Sequence, residues 1–314
     1  MCCAKCSDQG TCDDDGRRSL SSFGRTVGIY PYDRPMAKEG ALDDLLAEVL
    51  SRYEGSPNPR LKEITCAAIK HLHHFVREVN LTRDEWFEGV KFLTATGKMC
   101  DEVRQEYILL SDTMGVSTLV EMLAYDASAA ALTDNTVLGP FFVPGSPPRS
   151  RGESMLVDAD EGDPVVVRGK VTDAAGNAIP DVVIDCWQNA SNMFYACQQP
   201  GIQTPENLRG IYRTGEDGTY ELRTIRPVPY PIPSDGPAGD LLKKNGRNWW
   251  RPGHLHMWIK ADGFKDLITH VFDVESEFLD SDAVFGVQRS LIRSFAPDVS
   301  GELATTFDVV LDRA

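Results

Sequence analysis

Two histidines lie two residues apart in the segment RPGHLHMWIKADG, residues 251–263. Polar and apolar residues alternate around them, a pattern that predicts a β-strand. Successive side chains of a strand point to opposite faces, so His254 and His256 are expected on one face and the apolar residues that follow each of them on the other. Two imidazoles held side by side on a rigid strand are suited to bind a metal ion and would supply half of its ligands.

Two upstream tyrosines, Tyr195 and Tyr230, are candidate oxygen ligands for the same ion. Tyr195 follows a predicted strand, and Tyr230 lies in RPVPYPIPSDGP, where prolines restrict the loop and hold its side chains in place. A tyrosine at the base of a loop is also commonly an ordinary residue whose hydroxyl bonds to the backbone. The residues alone therefore leave open whether the two tyrosines and the two histidines converge.

The first part of the chain is predicted to be helical over residues 41–130, because apolar residues recur at helical spacing. Thr82 and Glu85 have the spacing of a capping box, and Gly97 is a plausible end for the helix that they begin. The histidines of the HLHH segment are interpreted as solvated residues of a helix rather than metal ligands. Four helices are predicted, over residues 41–53, 63–80, 82–97 and 101–128.

From about residue 140 the pattern changes to short β-rich segments separated by turn signals, which is typical of an antiparallel sandwich. Long loops on a rigid sandwich commonly carry function, and two are expected, at 188–213 and 229–250. The predicted fold class is thus α+β, with a helical domain followed by an antiparallel β-sandwich. The predicted divisions are a disordered or extended segment 1–40, a helical domain 41–135 and a sandwich domain 136–314.

Composition excludes some classes of protein. The 314 residues carry a net charge of −15, which disfavours nucleic-acid binding because contacts with phosphate need a basic surface. No apolar run approaches the ~20 residues that a membrane span requires, and the N-terminus has no apolar signal-peptide core, so a cytoplasmic protein is expected.

The cysteines form two groups. One is crowded near the N-terminus, where Cys3 and Cys6 make a CxxC pair; with no histidine or second pair nearby, these are interpreted as thiols of a disordered tail. The other group is dispersed, and in a cytosolic chain of this size no disulfide framework is expected. The N-terminal group is Cys2, Cys3, Cys6 and Cys12, and the dispersed group is Cys66, Cys100, Cys186 and Cys197.

Between residues 133 and 295 the chain resembles the intradiol ring-cleavage dioxygenases. The similarity extends into the helical part through RQEYILLSDTMGVSTLVEML, residues 104–123. The order and spacing of the matching segments make it specific. They are VLGPFF at 137–142, VRGKVTDAAGNAIPDVVIDCWQ at 167–188 with a tyrosine eight residues after Trp187, YPIPSDGP at 230–237 and RPGHLHMWI at 251–259.

The resemblance implies one ferric iron per chain, held by Tyr195, Tyr230, His254 and His256. It also implies that an aromatic diol displaces Tyr230 from the iron, that Arg251 assists catalysis, and that O2 opens the ring between the adjacent hydroxyls. Phenolates suit this ion, because a hard cation prefers anionic oxygen donors. A homodimer formed through the helical region, sometimes with lipid between the helices, is implied as well. The implied substrate-binding residues are Leu109, Asp112, Leu138, Gly139, Pro140, Phe141, Ile232, Pro233 and Arg251.

Within this family the chain is most similar to hydroxyquinol 1,2-dioxygenases, which cleave benzene-1,2,4-triol. The grounds are Pro231-Ile232-Pro233 after the second tyrosine, SDAVFGVQRSL at 281–291, and Leu109 with Asp112. Asp112 is expected to accept a hydrogen bond from the third hydroxyl. Leu138 stands where hydroxyquinol enzymes often have an aromatic residue, so catechol is the alternative substrate.

Two readings from other functional classes stay open. One is a non-catalytic sandwich like those of carboxypeptidase-regulatory domains, which bind no iron. The other is a zinc hydrolase in which His270 joins His254 and His256, provided that the strand of His270 neighbours theirs.

Overall fold

The computed structural model describes residues 39–102, 104–124 and 132–314. By its internal contacts the chain divides after Leu81 into two units. The N-terminal cysteine cluster and the segment around it lie outside the described residues. The domain limits drawn from the sequence, at residues 40 and 135, and the cytoplasmic location stay predictions.

The described residues of the first unit form two helices, α1 (Glu39–Ser51) and α2 (Pro59–Glu78). An ion pair joins them, with 2.6 Å between Nη1 of Arg77 and Oδ1 of Asp43. The histidines of the HLHH segment are exposed or half-buried on α2, which confirms their interpretation as solvated residues.

The second unit begins with helix α3 (Arg83–Lys98), whose start confirms the predicted capping box. The Thr82 hydroxyl accepts the Glu85 N–H, and the Glu85 carboxylate accepts the Thr82 N–H in return. The helix ends one residue beyond Gly97, where it was predicted to stop.

The prediction of a single helix over residues 101–128 is wrong. Two helices, α4 (Glu106–Thr113) and α5 (Val116–Ala124), are separated by a break and bent by 80° relative to each other. Gly115 lies in the break with φ +72°, a left-handed conformation that a right-handed helix cannot contain. No single helix among the described residues is long and apolar enough to cross a membrane; only the bent pair α4–α5 reaches that length and composition jointly.

Where the structure describes it, the rest of the second unit contains twelve strands, a further α-helix, α6 (Pro237–Lys244), and two short 3-10 turns. The strands are β1 (Pro164–Asp173), β2 (Val183–Trp187), β3 (Arg209–Arg213), β4 (Thr219–Ile225), β5 (Tyr230–Pro231), β6 (Trp250–Arg251), β7 (His254–Lys260), β8 (Leu267–Asp273), β9 (Ile292–Arg293), β10 (Ala296–Pro297), β11 (Leu303–Thr306) and β12 (Val309–Leu311).

The strands form two larger sheets and a two-stranded ribbon. In one sheet β1 pairs with β4, β11 and β12; the other has the order β3-β2-β7-β8-β9, and β5 pairs with β6. The prediction that the sandwich is antiparallel is wrong, because both larger sheets are mixed: β1 is parallel to β11 and β12, and β8 is parallel to β9. Strands β9, β11 and β12 are joined to their parallel partners by crossover connections rather than by hairpin turns, and a crossover connection allows neighbouring strands to be parallel.

Strand β7 lies in the middle of its sheet, hydrogen-bonded to β2 on one side and β8 on the other. Its Leu255, Met257 and Ile259 are completely buried in the main apolar core, to which both larger sheets contribute. The predicted division of this strand into two faces is therefore confirmed.

The two segments predicted as long loops contain more regular structure than expected. The first, after β2, ends in strand β3, which pairs with β2. The second contains β5, α6 and β6. Tyr195 lies in the first connection, between two strands of the sheet that contains β7, and Tyr230 lies on β5 in the second. The rings of the two tyrosines contact each other.

Candidate metal centre

The two histidines of β7 are fully buried and present the same ring atom to each other. Nε2 of His254 lies 3.1 Å from Nε2 of His256. Nδ1 of His254 lies 2.7 Å from the Pro252 carbonyl oxygen. Because a carbonyl can only accept, Nδ1 of His254 carries the proton and its Nε2 keeps a lone pair. This tautomer is the one that can bind a metal ion through Nε2.

Tyr195 brings its phenol to the same point. Its oxygen lies 3.0 Å from Nε2 of His256, and its side chain is 2 % exposed. Phe141 stacks on its ring with centroids 4.7 Å apart, and the Gln198 side chain accepts its backbone N–H. These contacts hold the Tyr195 ring in one orientation toward the histidines.

Tyr230 enters from the ribbon of β5 and β6, in which it pairs directly with Arg251. Its ring meets that of Tyr195 edge-on, with 5.2 Å between centroids. Nη1 of Arg251 donates a hydrogen bond to its oxygen at 3.3 Å, and both side chains are buried. The remaining edge of this guanidinium pairs with Asp282, which is also buried.

Burial controls the protonation of this cluster. It raises the pKa of Tyr195 well above 10, and the nearby oxygen of Tyr230 adds to the effect. Burial also raises the pKa of Tyr230, against the opposing charge of Arg251. For His254 and His256 burial lowers the pKa well below 6.5. Without a cation the phenols are therefore neutral, and the imidazoles keep free lone pairs.

These four residues fit a ferric ion. Two ligand atoms that lie at right angles, each about 2.1 Å from a shared ion, are about 3.0 Å apart. The separations at His256 are 3.0 Å to the Tyr195 oxygen and 3.1 Å to His254 Nε2. A bound cation lowers the pKa of phenols, and a hard trivalent ion favours the resulting phenolates. Such an ion would compensate the cost of burying these polar groups.

A third buried imidazole stands beside the pair. His270 lies on β8 directly opposite His256, so the condition set for the zinc alternative, that its strand neighbours β7, is met. Its ring stacks on His254, and ligand nitrogens of the three histidines all lie within 4.8 Å of one another. His256 is common to both candidate ligand sets, and the Tyr195 oxygen lies 3.0 Å from its Nε2.

A cavity of about 470 Å³, large enough for a single-ring aromatic molecule, is lined by Phe194 and Pro231, which directly neighbour the two tyrosines in the chain. Phe141 lines it while stacking on Tyr195 and meeting Tyr230 edge-on. Several residues predicted to bind substrate are brought together in its wall, namely Leu109, Pro140, Phe141, Ile232 and Pro233.

The other residues predicted to bind substrate lie outside this wall. Leu138 packs against the cluster of Trp187 and the two tyrosines. Gly139 lies in van der Waals reach of the His256 ring, and its φ of +76° is a left-handed conformation that favours glycine. Arg251 is buried against Tyr230, as described above.

Asp112 is buried on α4, three residues after Leu109 and therefore on the same side of the helix. Neither of its carboxylate oxygens has a hydrogen-bond partner among the described residues. Burial raises its pKa to about 6, although the nearby Ser117 hydroxyl and the charge of Arg251 oppose the change. An unpaired buried carboxylate is unfavourable unless it has a function or a ligand to bind.

Sequence reasoning missed other parts of the cavity wall. Phe194 and Cys197 flank Tyr195, and their closeness to a candidate ligand could have indicated them. Arg104 and Asp235 lie in segments that match the family, but their ion pair at 2.9 Å had no signal, because 131 residues separate them in the chain. Asp282, the partner of Arg251, was also missed: SDAVFGVQRSL was noted only as a similarity.

Known proteins resemble this chain over most of its length. Residues 137–313 match the sequence profile of the family described as "Dioxygenase", and residues 58–132 match that described as "Catechol dioxygenase N terminus". The chain is 43% identical over 269 residues to the 6-chlorohydroxyquinol 1,2-dioxygenase of Cupriavidus pinatubonensis, which covers 86% of this chain and 96% of that protein.

A second relative is the hydroxyquinol 1,2-dioxygenase of a Rhizobium species, 43% identical over 79% of this chain and 83% of its own length. The crystal structure of hydroxyquinol 1,2-dioxygenase from Pseudomonas putida DLL-E4 superimposes with a TM-score of 0.81 and 43% identity, over 88% of this chain and 100% of that one. On the buried phenols and imidazoles and on these matches, the chain belongs to the intradiol ring-cleavage dioxygenase family.

Proposed function

We propose that this protein is an iron(III) dioxygenase that cleaves hydroxyquinol between its adjacent hydroxyls with O2, to a 3-hydroxy-cis,cis-muconate or its tautomer maleylacetate. The observation that carries the proposal is the buried convergence of two phenols and two imidazoles beside a cavity of single-ring size. The relatives named for hydroxyquinol and 6-chlorohydroxyquinol support the choice of substrate.

Tyr195, Tyr230, His254 and His256 would hold the iron. When bound, ferric iron would supply Lewis acidity toward the two adjacent oxygens of the substrate and a path for their electron density toward O2. Tyr195 supplies negative charge in a site from which water is largely excluded. His254 is held in the tautomer that leaves Nε2 free by its bond to the Pro252 carbonyl.

Tyr230 and Arg251 act together on the proton and the charge of the substrate. The Tyr230 oxygen takes the proton of one substrate hydroxyl, and Arg251 hydrogen-bonds the same oxygen at 3.3 Å. Arg251 is buried, and its charge therefore acts with little screening on negative charge that develops on the ring beside it.

Asp112 would recognise the third hydroxyl. Its carboxylate is buried and unpaired, and it lies on the side of α4 that carries Leu109 into the cavity wall. A substrate hydroxyl that donates to this carboxylate would relieve the unfavourable burial, whereas catechol has no third hydroxyl to donate. Catechol remains the alternative substrate.

The test is a comparison of kcat/KM for hydroxyquinol and catechol in the unmutated protein, in Asp112→Ala and in Asp240→Ala, a control with an exposed aspartate. A hydrogen bond to a charged acceptor contributes roughly 1.5–3 kcal/mol, so Asp112→Ala should reduce the preference for the triol about tenfold to hundredfold. An equal loss on both substrates would make Asp112 structural. Preference of the unmutated protein for catechol would favour the alternative.

Metal analysis separates the remaining classes. We expect one iron per chain and a visible absorption band from phenolate-to-iron charge transfer, which would give the protein a red-brown colour. Active protein that contains zinc instead of iron would support the hydrolase reading. A colourless protein that binds no metal would support the non-catalytic sandwich.

A homodimer formed through the helical region, with lipid between helices, is a further part of the proposal. Large apolar side chains of α2 and α3 are exposed, including Leu61, Leu72, Trp86 and Phe87. Their burial in a subunit contact would be favourable. Analytical ultracentrifugation of the full chain decides the point, since a monomer at micromolar concentration would contradict it.

A further inference from the structure

Arg251 is held by a carboxylate to which no role has yet been given. Its Nε donates to Oδ1 of Asp282 at 3.0 Å, and its Nη2 faces Oδ2 at 3.4 Å. Both side chains are 2 % exposed, so the pair is a buried, two-pronged ion pair. Of the two terminal nitrogens, Nη2 is thus committed to Asp282, while Nη1 is directed at the Tyr230 oxygen.

The position of Asp282 does not depend on Arg251. Its two carboxylate oxygens also accept the backbone N–H groups of Val284 and Gly286, at 3.3 and 3.0 Å. The carbonyls of these same two residues accept hydrogen bonds from Thr118 and Thr136. The carboxylate is therefore fixed by its own loop, and the guanidinium is the partner that can move.

The surroundings of the guanidinium leave it little freedom while Asp282 is present. A Cβ added at Gly286 would lie 3.0 Å from Nη2 of Arg251, closer than most real contacts. Without the bond to Asp282, Nε and Nη2 would lose the acceptors that fix them, and the direction of Nη1 toward the Tyr230 oxygen would no longer be set by a two-point contact.

We propose that Asp282 is a positioning residue for the cleavage reaction: it fixes Arg251 so that Nη1 faces the Tyr230 oxygen. Its negative charge also offsets the positive charge that Arg251 would otherwise impose on the Tyr230 phenolate. Asp282 thus influences how strongly Tyr230 donates electrons to the metal, and it does so through Arg251, without itself bonding to the Tyr230 oxygen. This inference rests on the proposed function.

The main test is Asp282→Asn, which keeps the size of the side chain and removes its charge. The positive charge of Arg251 would then act fully on the Tyr230 phenolate and hold its electrons more tightly, so the phenolate-to-iron band should move to shorter wavelength. We expect kcat to fall at least about tenfold, the size of effect typical of residues that support metal ligands. KM should change less, and iron should remain at one per chain.

The matched control is Asp273→Asn. Asp273 is also buried and binds an arginine by two bonds, from Nε of Arg226 at 2.5 Å and from Nη2 at 3.1 Å. Its carboxylate also accepts the Glu275 N–H, so its hydrogen bonds among the described residues go to groups other than the proposed metal ligands and Arg251. A comparable loss of thermal stability is expected in both variants, since each breaks a buried ion pair. Only Asp282→Asn should move the absorption band and lower kcat.

Gly286→Ala decides the question if Asp282→Asn fails to fold. The added methyl keeps every charge but presses on Nη2 of Arg251, so the band should move and kcat should fall. An unchanged band and kcat in whichever of these two variants folds, with iron bound, would overturn the inference. If the unmutated protein binds no iron or cleaves no diol, the proposed function fails first, and the two failures are thus distinguishable.

Discussion

Burial has opposite consequences on the two faces of strand β7. On the core face Leu255, Met257 and Ile259 pack in the apolar core, where removal of carbon surface from water stabilises the fold. On the site face His254 and His256 are buried among phenols and a guanidinium, where removal of polar groups from water is unfavourable unless they are paired or bind an ion. Packing of the core face therefore holds rigid the strand whose site face presents the lone pairs.

The largest loss of activity is expected when the phenol oxygen of Tyr195 is removed. Tyr195→Phe should abolish the visible band and lower activity more than about a hundredfold, because even residues that only support metal ligands change affinity or activity by about 10–100-fold. Absorption spectra, iron content and turnover of hydroxyquinol measure these losses.

Tyr220→Phe is the control for that change. Tyr220 is as buried as Tyr195, but its hydroxyl donates to the Phe307 carbonyl at 2.6 Å, away from the metal centre. Its loss should cost about 1–3 kcal/mol of unfolding free energy and leave colour and turnover intact. Full colour in Tyr195→Phe would mean that Tyr195 is not a ligand.

A substitution on the core face is expected to lower the stability of the protein and to leave its activity unchanged. Met257 directly follows His256 on β7, and its side chain is completely buried on the core face. Met257→Ala removes most of this side chain and should lower the free energy of unfolding by about 2–5 kcal/mol. Urea titration measures this change. Folded protein should keep its iron and its kcat, because the cavity opens on the side of β7 away from the ligands. Loss of iron from the folded variant would show that the two faces are coupled.

The smallest effect is expected at Asp112 and concerns how stability depends on pH. Burial of its carboxylate is unfavourable for the same reason as burial of the polar groups on the site face, namely the loss of contact with water. Its pKa is raised from 3.8 to about 6, so the folded protein binds a proton more tightly than the unfolded chain. The stability linked to that proton is fully present below about pH 4 and is lost as pH rises through about 6. Asp112→Asn removes this dependence.

Relative to the unmutated protein, Asp112→Asn should therefore gain stability between pH 4 and pH 7, by on the order of 2–3 kcal/mol. Urea unfolding at several pH values measures the gain. Asp240→Asn, at an exposed position, serves as the control and should show no such trend. A stability difference that does not vary with pH would mean that Asp112 is not the strained carboxylate described above.

Local pattern was enough for many elements. Alternation predicted the two faces of β7, and the Thr82–Glu85 capping box was correct because its bonds join residues three apart. The helix over 101–128 was predicted as one because its apolar spacing continues through Gly115; only the backbone conformation of that glycine shows the break. The parallel pairing of β1 with β11 was out of reach, because strand direction depends on crossovers and not on alternation.

Residue type and spacing in the sequence identified the candidate metal ligands, because alternation on a strand fixes which lone pairs share a face. Resemblance to a family supplied the expectation that the two tyrosines converge with the histidines. Tertiary packing alone brings the Tyr195 oxygen against His256, buries Asp112 without a hydrogen-bond partner among the described residues, and joins Asp282 to Arg251. These facts depend on contacts between residues far apart in the chain, which packing creates and no local pattern encodes.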